Sequence, residues 1–217
     1  MSLELSGTTG VKGVAGSVSA PSIVGDDTNT GISFPSADTI KFSTGGVERM
    51  SITNSGVSGI TAGITMADQW RLTTVVTLSS GSGDLTSNWE RNDHASFSGI
   101  GSAMTESSGL FAFPVTGIYL ILVDFTFASS GATYQGFSIR ATTDNGSSFS
   151  NIGQSYGGSK SNSGSEYDSV TAQAIFDVTD VSTHKFKIQY ENNTTVSIDG
   201  NSNTQRSGFT IIRLGDT

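Results

Sequence analysis

The chain has 217 residues, 27 of them glycine, no cysteine, and 19 acidic against 11 basic side chains for a formal charge of -8. The missing cysteines exclude disulfides and thiolate metal sites, so stability has to come from packed sheets and from subunit association. The acidic balance repels phosphate backbones and excludes sequence-independent nucleic-acid binding, while the 14% of charged residues and the glycine, serine and threonine in almost every segment mark a turn-rich β protein rather than long amphipathic helices.

The opening MSLELSGTTG has neither a basic nor an apolar leader region, and no stretch approaches the ~20 apolar residues of a membrane span. A cytoplasmic origin without standard export or membrane insertion is expected. Glycine then recurs at every third position in Gly7, Gly10, Gly13 and Gly16, spacing that lets three chains approach one axis. The run is short and lacks proline, so residues 1–21 are expected to form an extended arm that uses glycine's permissive backbone.

Residues 22–69 read as a thin β-meander. Short alternations pair Ile32 with Phe34, Ile40 with Phe42 and Met50 with Ile52, punctuated by turn chemistry at Asp26 to Gly31, Pro35 to Asp38, Gly45-Gly46 and Asn54 to Gly56. Strands this short leave one apolar face that needs the adjoining domain, sister chains or a docking surface to cover it. Those six apolar residues are therefore the candidate anchor. The segment PSIVGDDTNTGISFPSADTIKFSTGGVERMSITNSG resembles parts of tail-fibre and other structural proteins of tailed phages, those of marine bacteria above all, through NTGI, ADTIKF and GGVERM. That resemblance implies a virion protein, made in a bacterial host and attached to another virion protein of tail, baseplate or capsid.

A small-residue link from Ser58 to Asp68, with Ile60, Ile64 and Met66, leads to a boundary near Asp68. Over 70–217 the strands lengthen: Leu72 to Leu78, Ile118 to Phe127, Tyr134 to Ala141, Ser169 to Val178, Lys185 to Glu191, Thr195 to Asp199 and Gly208 to Leu214. Seven or more strands predict a sandwich or jelly roll, and the fold class is all-β. Ile118 to Phe127 is apolar at nearly every position, which marks a strand buried on both faces. One face meets the core; the other is covered by a threefold axis or by the chain's own loops. Tyr119, Ile121, Phe125 and Phe127 are the candidates for that axis or the core. In GLFAFPVTGIYLILVDFTF, the residues Gly109, Phe111, Phe113, Pro114, Gly117 and Tyr119 are spaced as in the tumour-necrosis-factor-like superfamily, which includes the complement-type globular heads. SGFTIIRLG resembles that superfamily's closing strand, and VTAQAIFDVTDVSTHKFKIQYEN its paired strands. A homotrimeric jelly roll is what the resemblance implies.

Catalytic and metal patterns are sparse. His94 and His184 stand in no ligand spacing, and no GxSxG, GxGxxG or Walker motif occurs. The carboxylate pairs Glu166 with Asp168 and Asp177 with Asp180 sit beside turns, where acids bond the backbone. Thr142 to Phe149 resembles an Asp-box hairpin, in which Asp144 bonds turn amides, Gly146 takes a positive φ and Phe149 plugs the core. The acidic turns at Asp26-Asp27 and Asp199 to Asn203 lack a twelve-residue calcium loop. No catalytic residue, metal or cofactor is assigned. Two stretches read as long loops, Ser79 to His94 and Gly153 to Glu166, and offer Trp89 and Tyr156 for contact with a host-surface glycan or protein. The sequence thus points to a homotrimeric phage fibre or fibre-like appendage, anchored by residues 1–69 and adhering through its head. A capsid decoration protein is the alternative and a polysaccharide depolymerase a distant third.

Overall fold

Side chains that alternate in and out along extended backbone specify antiparallel strands, and these make up the regular structure throughout. The computed structural model describes residues 4–6, 10–12, 15–59, 63–129, 131–158 and 166–217; among them every element is a β-strand and every pairing is antiparallel. Gly7, Gly13 and Ile60, named above for the arm and the link, lie outside the described residues. The chain divides into two compact units, residues 1–63 and 64–217.

In the first unit, β1 (Glu4–Ser6) pairs with β2 (Gly10–Lys12). A five-stranded meander follows in chain order: β3 (Ile23–Val24), β4 (Gly31–Ser33), β5 (Ile40–Thr44), β6 (Val47–Thr53) and β7 (Gly56–Ser58). The β5–β6 hairpin turns at Gly45 and Gly46, both at positive φ (60° and 74°), a two-residue reversal that β-carbons would strain. Its register stacks Ile23, Ile32, Phe42 and Met50 in one row and Ile40, Ile52 and Val57 in the next, all on one face. The other face carries Ser33, Lys41, Ser51 and Ser58, with Lys41 held by Glu48 at 2.6 Å.

The second unit is a sandwich of two sheets. One contains β10 (Gly81–Asp84), β12 (Thr105–Ser107), β13 (Leu110–Ala112), β15 (Gln135–Thr142), β16 (Ser150–Gly157) and β18 (Lys185–Asn192), in the path β12-β13-β18-β15-β16 with β10 also on β18. The other contains β8 (Ala67–Leu72), β9 (Val76–Leu78), β11 (Trp89–Arg91), β14 (Gly117–Ser129), β17 (Glu166–Val178), β19 (Val196–Ile198) and β20 (Gly208–Gly215). Its thirteen-residue β14 pairs with β17 along its whole length, and on its other side with β20 and then β19.

Between the sheets lies an aromatic core. Phe111 stacks on Phe186 at 5.2 Å and meets Phe209 edge-on at 4.7 Å, while Phe125 lies 4.7 Å from Phe137. Each such side chain contributes roughly 1.5–3 kcal/mol by leaving water. At one end of the sheet the core is closed by charge. The buried Asp68 carboxylate accepts from the Trp70 indole at 3.2 Å and the Met104 amide at 3.0 Å, and pairs with Arg91 at 2.7 Å. Nearby Arg71 is buried and divided among Glu90, Asn92, Asp93 and the Ser202 carbonyl.

Candidate functional site

Strand parity decides which face of the central sheet is free. In β14 the odd residues are buried and the even ones are not, so Tyr119, Ile121, Phe125 and Phe127 all point into the inter-sheet core. Of the two places open to these side chains, a threefold axis or the core, the structure puts them in the core, where the sandwich of a single chain encloses them. Tyr119 is further fixed by donating its hydroxyl to the Val115 carbonyl at 2.8 Å. The outward face of β14 carries Ile118, Leu120 and Leu122 instead. Register sets Leu120 between Ile175 of β17 and Ile212 of β20, and Ile175 is 66% exposed. An aliphatic strip therefore runs across three adjacent strands on the outside of the sheet, with Asp124 beyond it bonded to Thr171 at 2.5 Å.

On the other sheet, Tyr156 and Glu191 flank Gly136 from the two neighbouring strands. Strands two apart are about 9–10 Å from each other, and the gap is spanned by the Tyr156 ring laid over the glycine. A β-carbon at Gly136 would fall 2.2 Å from the Ser155 carbonyl oxygen and 2.6 Å from Tyr156 Cδ1, so the bare backbone admits both the neighbouring strand and the ring. The phenol donates to Glu191 Oε2 at 2.5 Å and accepts from the Gln154 amide, whose own oxygen accepts from Asn151 at 3.0 Å. Burial, and next the Glu191 carboxylate, push the phenol up to about 12, so it remains a donor throughout neutral pH. Tyr134 meets the ring at right angles, 5.9 Å away, and both tyrosines stay exposed.

The anchor candidates share the meander face described above: Ile32, Ile40, Phe42 and Met50 are half-buried, while Phe34 and Ile52 are exposed. Phe34, Ile40 and Ile52 line a depression of about 410 Å³ together with Asp38 and Asn54.

Comparison with known proteins follows from this geometry. No family model matches the chain, nor does any curated protein. Among solved structures, Eiger TNF from S. frugiperda is similar with a TM-score of 0.53 at 14% identity, over 71% of this chain and 96% of that one. The second unit alone makes up that share of the chain. The likeness is one of fold: the second unit is a jelly roll similar to that of Eiger TNF. Murine APRIL is also similar, with a TM-score of 0.48 and 12% identity over 69% of this chain and 99% of its own.

The remaining sequence candidates find other places in the jelly roll. Trp89 lies on β11 rather than in a loop, donates its indole N–H to the Leu85 carbonyl at 2.8 Å and packs edge-on to Phe111 at 5.2 Å, so the half-buried ring is anchored to the core. Tyr156 also lies on a strand, β16, which supplies the outward orientation that a loop was expected to give. His184 packs on Phe176 at 5.7 Å, and His94 bonds Ser96 at 2.7 Å. Asp180 caps its turn through the Ser182 amide at 2.8 Å. Asp144 accepts from the Ser148 amide at 2.9 Å and Gly146 sits at φ 93°, as the hairpin predicts. Phe149 does not plug the core; its ring lies under the Lys187 ammonium at 4.0 Å.

Proposed function

We propose that the chain is a non-enzymatic structural protein that works as a homotrimer, its heads joined through the aliphatic strip of β14, β17 and β20. The strip is the observation that supports this reading: Ile118, Leu120, Leu122, Ile175 and Ile212 form an apolar band on the outer face of the sheet, with Ile175 exposed and the others half-buried, and such bands mark contact surfaces. Closed symmetry buries the band once and leaves no surplus surface for open-ended growth. Asp144 and Asp180 are engaged in their turns and His184 in a ring contact, while Glu166, Asp168 and Asp177 lie along β17, which favours architecture over chemistry.

The finer reading is a tailed-phage appendage in the virion, made in the host cytoplasm. Its support is the resemblance of residues 21–56 to tail-fibre segments and the uncovered apolar face that those same residues build. In this reading the N-terminal segment docks on the particle and the head faces the host surface, where threefold display raises weak contacts into useful avidity. The capsid-decoration alternative draws on the meander's edge strands, since among the described residues β3 and β7 each pair on one side only and so can accept a strand from a shell protein.

Light scattering on the purified chain tests the trimer. A mass three times 22.5 kDa is expected, collapsing to one chain in Leu120→Asp with the β spectrum retained. A monomer at micromolar concentration overturns it. Deleting residues 1–60 should abolish incorporation into particles while leaving the head trimeric; retained incorporation refutes the anchor. Imaging of labelled particles separates tail from capsid.

A further inference from the structure

The Tyr156 cluster has the construction of a stacking platform. Its side chain reaches from β16 across Gly136 to Glu191 on β18, close against the glycine on one side, and is 45% exposed. Such an exposed ring would ordinarily swing among rotamers. Here both sides of its hydroxyl are engaged, by Glu191 as acceptor and by Gln154 as donor, and Gln154 is steadied in turn by Asn151. Tyr134 closes one side with its own ring held perpendicular. The ordering entropy that a ligand would otherwise have to supply is therefore already spent within the sheet.

We propose that this outer face of the β15–β16–β18 sheet binds a neutral pyranose, the sugar's C–H face lying on Tyr156 and its hydroxyls meeting Glu191, Gln154 and the Ser82 hydroxyl, which the register places beside Glu191. The chemistry selects this class for three reasons. A ring exposed as a flat apolar surface matches the axial C–H face of a pyranose, not the edge of a peptide. The polar groups beside it, a carboxylate and an amide, complement hydroxyls, which both donate and accept. The carboxylate at the centre, on a chain of charge -8, repels phosphorylated or sulfated glycans. The inference deepens the adhesion reading, resting on the head as the outward part, and names the ligand class of its contact surface.

Saturation-transfer NMR on the full-length protein tests it with the methyl pyranosides of glucose, galactose and mannose. A ligand of a dozen heavy atoms on an open platform binds with a Kd of roughly millimolar order, so transfer to at least one pyranoside is expected, strongest at its C–H protons. Tyr156→Ala should weaken binding more than about tenfold and Tyr156→Phe, which keeps the ring and loses its two tethers, by a few-fold. Tyr167→Ala removes a more exposed tyrosine from the other sheet and should change nothing. Absence of transfer to all three sugars, or transfer unaltered in Tyr156→Ala, overturns the proposal. If Tyr156→Ala is misfolded by circular dichroism, Glu191→Gln decides: it keeps an acceptor but weakens the tether, and unaltered binding counts against the platform. Pyranoside binding without staining of host cells by the labelled protein would sink the adhesion reading and leave the platform standing.

Discussion

The meander and the jelly roll use the same antiparallel chemistry and reach opposite outcomes. Both place apolar side chains on one face at period two. In the jelly roll a second sheet meets that face, and residues such as Phe111, Phe137 and Ile188 are fully enclosed; in the meander the equivalent row leaves Ile23, Phe34 and Ile52 exposed. A sheet becomes a self-sufficient body only when something covers it, so the same alternation that stabilises the head makes the N-terminal strands adhesive.

The head is most sensitive to substitution at its centre. Phe111→Ala empties a site where four aromatic rings converge and should lower stability by about 3–5 kcal/mol, read from the denaturant midpoint of the head transition. Asp68→Ala should cost about 3 kcal/mol by leaving the Trp70 indole, the Met104 amide and Arg91 without their acceptor. A cost below about 1 kcal/mol for either would mean that the head is not held by its interior. In the meander, Ile52→Ser should shift the midpoint of the purified protein by less than about 0.5 kcal/mol, because the side chain already meets water. Its effect is expected on incorporation into particles, and the contrast disappears if particles form normally.

Smallest and most local are the titrations. The Ser148 hydroxyl first, then the Thr142 hydroxyl and the Ser148 amide, hold Asp144 at about 2 against an ordinary 3.8. The hairpin's stabilisation by this carboxylate is therefore full above pH 3.8 and lost as pH falls through about 2. Thermal melts across that window should slope less in Asp144→Asn. Tyr156 behaves in the opposite sense. The folded chain keeps the phenolic proton between pH 10 and about 12, where the unfolded chain has released it, so its contribution is whole below pH 10 and lost above that window. Ultraviolet titration should show Tyr119 and Tyr156 late, both raised by burial, with Glu191→Gln moving only Tyr156 down.

Much of the head is legible in the sequence because its longest strands, β14 and β17, run for thirteen residues and bury alternate side chains, a pattern that no helix would tolerate. The face of β14 was harder to read. Aromatic rings draw attention to Tyr119, Phe125 and Phe127, yet Asp124 and Thr126 share the even set with Leu120, and those two polar residues mark the even face as the one that reaches water. Strand β16 escapes sequence reasoning for another reason: SNIGQSYG holds a single aliphatic residue and two glycines, so its extension comes from the ladder with β15 rather than from its own pattern. The Tyr156 platform hides with it, since Gly136 and Glu191 are distant in sequence and meet only across the strands.

The position of β20 has a consequence for how the head is made. It lies between β8 and β14, with Phe209 opposite Trp70 and Val123 at once, although it is the last of the head's strands to leave the ribosome. Until Gly208–Gly215 arrives, β8 and β14 face each other across a missing strand, with the apolar interior open on one side. Contacts of such long sequence separation close slowly, so the sheet cannot be completed before its final strand is made. A synthetic peptide of that sequence should take the missing strand's place in a chain truncated at Ser207 and complete the sheet from outside.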